Sequence, residues 1–556
     1  MNNILKIFSE HGTFIQPDAF EYISSKEKPD EFASILLQNL KEYPLVLTVE
    51  TVKDLEQNLQ PFRSLDQKKP EENIILKKEV QKKLLSEVYG GKIKIGELSE
   101  ELEEDEEDSE EQSSENDKPV ITHLQPLKIS PSRGWKPLAQ EYAPEINIIK
   151  DITGNSMCEG TTQDFVKLFR DRYESICKII RSQRREISNI QPIGRIKKNQ
   201  TEIQLIGMVK TVKTTSNGHK LIELEDETGT ATLLALKNNP EAFSLASEVL
   251  TDEIIGVVGK ISKNGDLIII QNIIFPDIRI HNEKKKIELP LCAAFLSDIH
   301  IGSKMFMHNE WTQFLQWING NLGNSRQKDV ASRIKYLILP GDLVDGIGIY
   351  PNQEKELAIS NIYAQYEALA QQLSLIPDHI TILLQPGNHD AVRPAEPQPT
   401  FEKEIRDLFQ GKDFRFIGNP CYFTIHSVEI LSYHGQSLLD FATQIQHVNY
   451  NEPTEAMKIM LKKRHLSPVY GGYTPLAPEH IDYMIIDRVP DIFVTGHVHT
   501  AKIDTYRGVT LINASSWQAQ TTYQKMLNFV PDSAKLPIVD LKTGTATTMD
   551  FSKSIS

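Results

Sequence analysis

The chain has 556 residues, 39% hydrophobic and 25% charged, a composition that supports several packed cores and excludes wholesale disorder. The formal net charge of -15 sits in one place: residues 97–117 hold 13 Asp or Glu, and the remainder sets 61 basic against 63 acidic side chains. A nucleic-acid substrate is therefore not excluded by charge. Cys158, Cys177, Cys292 and Cys421 form no CxxC, which argues against a disulfide framework or a zinc knuckle. There is no run of about 18 apolar residues and no signal-peptide layout, so a cytoplasmic protein without a membrane partner is expected.

In chain order, residues 1–60 predict a small helical domain, with Phe20, Ile23, Phe32, Ile35, Leu36 and Leu40 at helical spacing. Residues 61–135 are rich in Glu, Lys and Ser and contain the acidic run, which predicts a disordered charged linker. An acidic lure for a basic partner is the alternative. Residues 136–194 predict a helical connector, capped at Thr161 or Thr162 and packing through Phe165, Leu168, Phe169, Ile176, Ile179 and Ile180. Residues 195–287 change to short β-rich runs separated by turn signals such as Ser216-Asn217-Gly218, which predict a barrel of the oligonucleotide-binding (OB) type. Its basic residues (Arg195, Lys197, Lys198, Lys210, Lys213, Lys220) are modest in number and base-stacking aromatics are few. Both a DNA-gripping and a docking barrel stay open.

Residues 288–556 alternate apolar strands with amphipathic helices, an α/β layout. Eleven of the 15 histidines lie from His300 onward. Each of five apolar runs ends in a polar cluster: Asp298 and His300; Asp342 and Asp345; Asn388, His389 and Asp390; His434; His497 and His499. Strand ends of an open α/β sheet converge on one crevice. Carboxylate, imidazole and amide oxygen without thiolate suit borderline divalent cations, and a shared carboxylate holds two of them about 3.5–4 Å apart, in position to clamp a phosphoryl transfer.

This order of motifs (DxH, GDxxD, GNHD, H, GHxH) resembles the calcineurin-like metallophosphoesterase superfamily. The resemblance implies one metal on Asp298, His300 and His499, another on Asn388, His434 and His497, and a bridging Asp342. It implies that His389 assists the leaving oxygen, that Asp390 orients His389, and that Asp345 orients a loop. Two divalent cations are expected, Mn²⁺ first, with Fe, Zn or Mg as alternatives.

A barrel ahead of such a domain, with FVKLFRDRYE, DGIGIYPNQE, PGNHDAVRPAEPQP, RHLSPVYGG and SSWQAQTTYQ, resembles the small B-type subunits of archaeal family D DNA polymerases. The resemblance implies a 3′→5′ proofreading exonuclease. Its expected partners are a large catalytic subunit, single-stranded or mispaired DNA 3′ ends, and a sliding clamp. A silent scaffold subunit and an independent repair nuclease are the competing readings.

Overall fold

The computed structural model describes residues 129–555, except 185–186, 198–199, 201, 263, 266, 281 and 527, together with short stretches between residues 14 and 52. The chain divides into two compact units, residues 1–116 and 117–556. In the first, β1 (Phe14–Ile15) pairs in parallel with β2 (Val46–Leu47), a contact that helical periodicity does not announce. Ile23 and Leu36 are buried as expected, whereas Ile35 is 45% exposed. Phe20 and Leu40 lie outside the described residues, as does the expected linker over residues 61–128 with its acidic run.

The last part of the expected linker is packed, which corrects its boundary. The Ser132 amide donates to the Asn319 carbonyl at 2.9 Å, and the Trp135 ring covers Gly320, where a Cβ would stand 2.5 Å from it. One aromatic ring outweighs the polar composition around it, because even a half-buried Trp stabilises its segment more than scattered charges loosen it.

The connector also departs from the all-helical expectation, since Ile146–Asp151 forms β3 ahead of α1 (Thr162–Gln183). The α1 start is a capping box, in which the Thr161 side chain accepts from the Asp164 amide and Asp164 accepts from the Thr161 amide. Its buried face carries Leu168, Ile176, Ile179 and Ile180 as expected, together with Arg172.

The barrel is β4 (Ile203–Thr214), β5 (Lys220–Asp226), β6 (Gly229–Ala235), α2 (Pro240–Ser247), β7 (Ile254–Ile261) and β8 (Ile268–Ile274). Its strands close in the order β4-β5-β6-β8-β7 around Leu205, Val209, Ile222, Leu224, Leu233, Val257 and Ile270.

The elements that build the sheets and their covering layers include β9 (Cys292–Phe295), α3 (His308–Ile318), β10 (Ile334–Pro340), α4 (Ile362–Leu373), β11 (Thr381–Gln385), β12 (Phe414–Phe416), β13 (Cys421–Ile425), β14 (Val428–Ser432), α5 (Pro453–Lys463), β15 (Ile492–Thr495), β16 (Lys502–Tyr506), β17 (Val509–Asn513), β18 (Lys535–Asp540) and β19 (Thr545–Asp550). They build two mixed sheets, ordered β12-β11-β10-β9-β18-β19 and β16-β17-β15-β14-β13-β3. The period of two along each strand sorts side chains between layers. Ala293 and Phe295 of β9 meet Ile430 of β14 and Val494 of β15 between the sheets. Cys292 and Ala294 face outward onto Trp311 and Phe314 of α3 and Tyr366 and Leu369 of α4. Leu431 and Phe493, on the far side of the second sheet, meet Met457 and Met460 of α5. Both sheets are therefore covered on both faces, which is why their inner strands β9, β10, β11, β14 and β15 are buried along their whole length and read as largely apolar runs.

Buried ion pairs join the barrel and α1 to the α/β part of the chain. Lys463 of α5 reaches Glu253 beside β7 at 2.7 Å, with side chains 0% and 3% exposed. Arg172 of α1 meets Asp482 at 2.7 Å, both 1% exposed. Among the described residues no helix is long and apolar enough to cross a membrane.

Candidate metal centre

The polar clusters follow the carboxyl ends of β9, β10 and β11, parallel neighbours in one sheet, and of β14 and β15, parallel neighbours in the other. All five loops meet. Asp298, His300, Asp342, Asp345, Asp390, His434 and His499 are buried, while Asn388, His389 and His497 are partly exposed.

Two groups of donors form. In the first, His300 Nε2 lies 3.1 Å from His499 Nε2, and His499 Nε2 lies 3.4 Å from Asp298 Oδ1. In the second, the Asn388 amide oxygen is 2.9 Å from both His434 Nε2 and His497 Nδ1. Asp342 stands between them, its Oδ2 at 3.3 Å from His434 Nε2 and 3.9 Å from His300 Nε2. The ligand atoms of Asp298, His300 and His499, and those of Asp342, His434 and His497, lie within 4.8 Å of one another in each trio.

Outer partners fix which ring nitrogen faces inward. His434 Nδ1–H donates to the Pro340 carbonyl at 2.9 Å, and His300 Nδ1–H to Asp345 Oδ1 at 3.1 Å. Each Nε2 is thereby left facing the donor cluster, where a cation would take the place of any proton it carries. Asp345 thus orients a candidate ligand directly, held in turn by the Gln518 amide at 2.9 Å.

The expectation for Asp390 is corrected. His389 Nδ1–H donates to the Asp345 backbone carbonyl at 2.8 Å. Asp390 instead accepts from the Tyr366 hydroxyl at 2.8 Å and from the amides of Gly387 and Leu343 at 2.9 and 3.2 Å. It holds the loop and leaves the ring to Asp345.

A profile of the DNA polymerase alpha/epsilon B-subunit family matches residues 293–504, a span that contains all five loops. The protein named DNA polymerase II small subunit in Archaeoglobus fulgidus is 45% identical over 415 residues, 74% of this chain and 82% of that one. Its counterparts of the same name in Methanocaldococcus jannaschii and Methanothermobacter thermautotrophicus are 42% identical over 75% of this chain and 71% of theirs, and 38% identical over 76% and 86%. The chain belongs to the archaeal DNA polymerase II small subunit family.

In this family member the donor loops adopt a conformation that L residues seldom choose. Asp298, His300, Asp342, His497 and His499 have φ of 51°, 53°, 51°, 69° and 49°. Each such non-glycine residue costs roughly 1–2 kcal/mol, a strain that clusters where function over-determines the backbone. Glycine is required beside them: a Cβ on Gly387 would collide with the Asp342 carboxylate, and one on Gly496 with Asp298 and Ser297.

Burial works against charge on Asp342, yet the imidazoles of His434 and His389 hold its carboxyl well below the usual range. Burial likewise opposes a charged His434, but Asp342 and Asp298 outweigh it and push that imidazole up to about 10. His497 is held down to about 3 by burial and by His434. Asp390 rises to about 7 through burial and the neighbouring Asp342. Anionic oxygens and inward-facing imidazole nitrogens fit divalent cations, which would replace the proton that Asp342 and Asp298 hold on His434, with Asp298, His300 and His499 able to hold one and Asn388, His434 and His497 the other.

Sequence reasoning missed Gln518, which supports Asp345, and Gln524, whose amide lies 3.0 Å from His499 Nδ1. The polar run Ser515-Ser516 to Gln518-Ala519-Gln520 directly after β17 is the signal that could have exposed the first.

Proposed function

We propose that this family member is a 3′→5′ exonuclease that edits DNA ends for a large polymerase chain. The observation carrying the reading is Asp342 standing between two donor trios on five converging loops. Bound there, two divalent cations, Mn²⁺ first and Fe, Zn or Mg as alternatives, would offset phosphoryl charge and lower the pKa of water. The chain's own residues orient the reaction. His389 is 16% exposed and 3.9 Å from Asp342, with Nδ1 committed to Asp345, so Nε2 is the atom presented to substrate. Protonated there, it can donate to the leaving oxygen.

The sandwich of two sheets between helices supports the calcineurin-like assignment. The barrel order β4-β5-β6-β8-β7, with a helix between its third and fourth strands, supports the OB-type one. Lys210 lies 3.5 Å from Glu223 and 3.9 Å from Glu225, so its charge is partly neutralised within the barrel. That favours a barrel that docks the large chain over one that grips DNA. The sliding clamp is a further candidate partner.

The test uses the full chain, with single-stranded and mispaired DNA labelled at the 3′ or 5′ end, across a series of Mn²⁺, Mg²⁺, Zn²⁺ and Fe²⁺. Stepwise nucleotide release from the 3′ end supports the reading. Intact DNA with every cation would make the protein a silent scaffold. Copurification with a large polymerase chain tests the assembly.

A further inference from the structure

Beyond the donors, an aromatic path leads out of the site. The Tyr350 ring lies 6.4 Å from that of His389. Tyr523 stacks on Tyr350 at 5.5 Å between centroids and 23° between planes. Tyr523 is 43% exposed, which leaves ring surface open to solvent. The loop that carries Tyr350 and the short helix Thr522–Met526 that carries Tyr523 are tied together and to the site. The Tyr350 hydroxyl donates to Glu356 Oε2 at 3.0 Å, and the Thr522 amide donates to Glu356 Oε1 at 3.2 Å. Gln524, next to Tyr523, touches His499. Ile347 and Ile349, on the loop that bears Tyr350, are 47% and 38% exposed, and Met526 and Val530 are 71% and 73% exposed. A pair serving only the core would be covered. Here the outer ring is the exposed one.

We propose that Tyr350 and Tyr523 form a stacking platform for an unpaired nucleobase of single-stranded DNA whose end lies in the metal centre, an inference that rests on the nuclease reading above. Tyr350 sets the plane, Tyr523 offers the open face, and Glu356 ties the Tyr350 loop to the helix that bears Tyr523. Such a platform accepts any base, because every base has a π-face. It also explains selection of frayed or mispaired ends, since a paired base keeps its stack within the duplex.

The test compares oligonucleotides carrying a natural base or an abasic residue at each of the last few positions, with the full chain and Mn²⁺. The unaltered protein should lose roughly tenfold in kcat/KM when one particular base is missing. Tyr523→Ala should lose that discrimination and degrade natural and abasic strands equally, while Tyr523→Trp should keep it. Tyr350→Leu should weaken it. If Tyr523→Ala still discriminates as the unaltered protein does, or if the unaltered protein never discriminates, the platform is refuted and the nuclease reading stands. A protein that hydrolyses bis-p-nitrophenyl phosphate but no DNA overturns both.

Discussion

Asp342 meets both donor trios, so its loss should do more damage than that of any one-sided ligand. Asp342→Ala is expected to lower exonuclease kcat/KM by more than about 10³-fold, and more than His499→Ala does. Comparable activities of the two variants at saturating Mn²⁺ would refute the bridging role. His389→Ala should slow hydrolysis about 10²–10⁴-fold while elemental analysis finds the same metal content. Asp345→Ala should weaken metal binding by about 10–100-fold, because it frees the His300 ring; unchanged loading by titration would argue against it. A further residue governs acid sensitivity. Burial and nearby Arg172 hold His465 down to about 4 although Asp482 attracts its proton. An unfolded histidine titrates near about 6.5, so between those values the unfolded chain binds a proton that the folded chain does not. Stability should be full above about pH 6.5 and decline toward pH 4, by up to about 3 kcal/mol from this residue. Urea midpoints across that range should fall less steeply for His465→Gln. The candidate ligands are legible in the sequence because each follows an apolar strand directly. Gln518 and Gln524 are not, and neither is the reach of Asp345 to the His300 ring, because these roles depend on partners such as the Gln518–Asp345 pair, 173 positions apart.

Elements differ in how openly they declare themselves. The barrel strands and the alternation of strand and helix after residue 288 follow from short apolar runs and turn residues. β3 (Ile146–Asp151) is hidden because an edge strand with exposed Asn147 and Ile148 lacks a continuous apolar run. Trp135 is hidden because composition averages over a window while a ring packs alone. The seam between α5 and the barrel yields a prediction. Burial pushes the Glu253 carboxyl up and the Lys463 amine down, although each is the other's partner. Lys463→Met alone should cost about 3–5 kcal/mol by leaving a buried carboxylate unpaired. The double change Glu253→Leu with Lys463→Met should recover most of that loss. If the double variant unfolds as easily as the single one in urea, the pair does more than satisfy itself.

Taken whole, the molecule draws one site from both sheets, with His300 and His499 separated by 199 positions. A centre assembled from such distant segments closes late, because each long-range contact waits on costly loop closure. Single sheets or helices can mature without it, and no fragment ending before β15 carries His497 or His499. In refolding, recovery of secondary structure by circular dichroism should therefore precede recovery of Mn²⁺ binding. Uptake of the cation would then act as a checkpoint on the finished fold: a partly folded chain would carry no hydrolytic centre capable of damaging DNA.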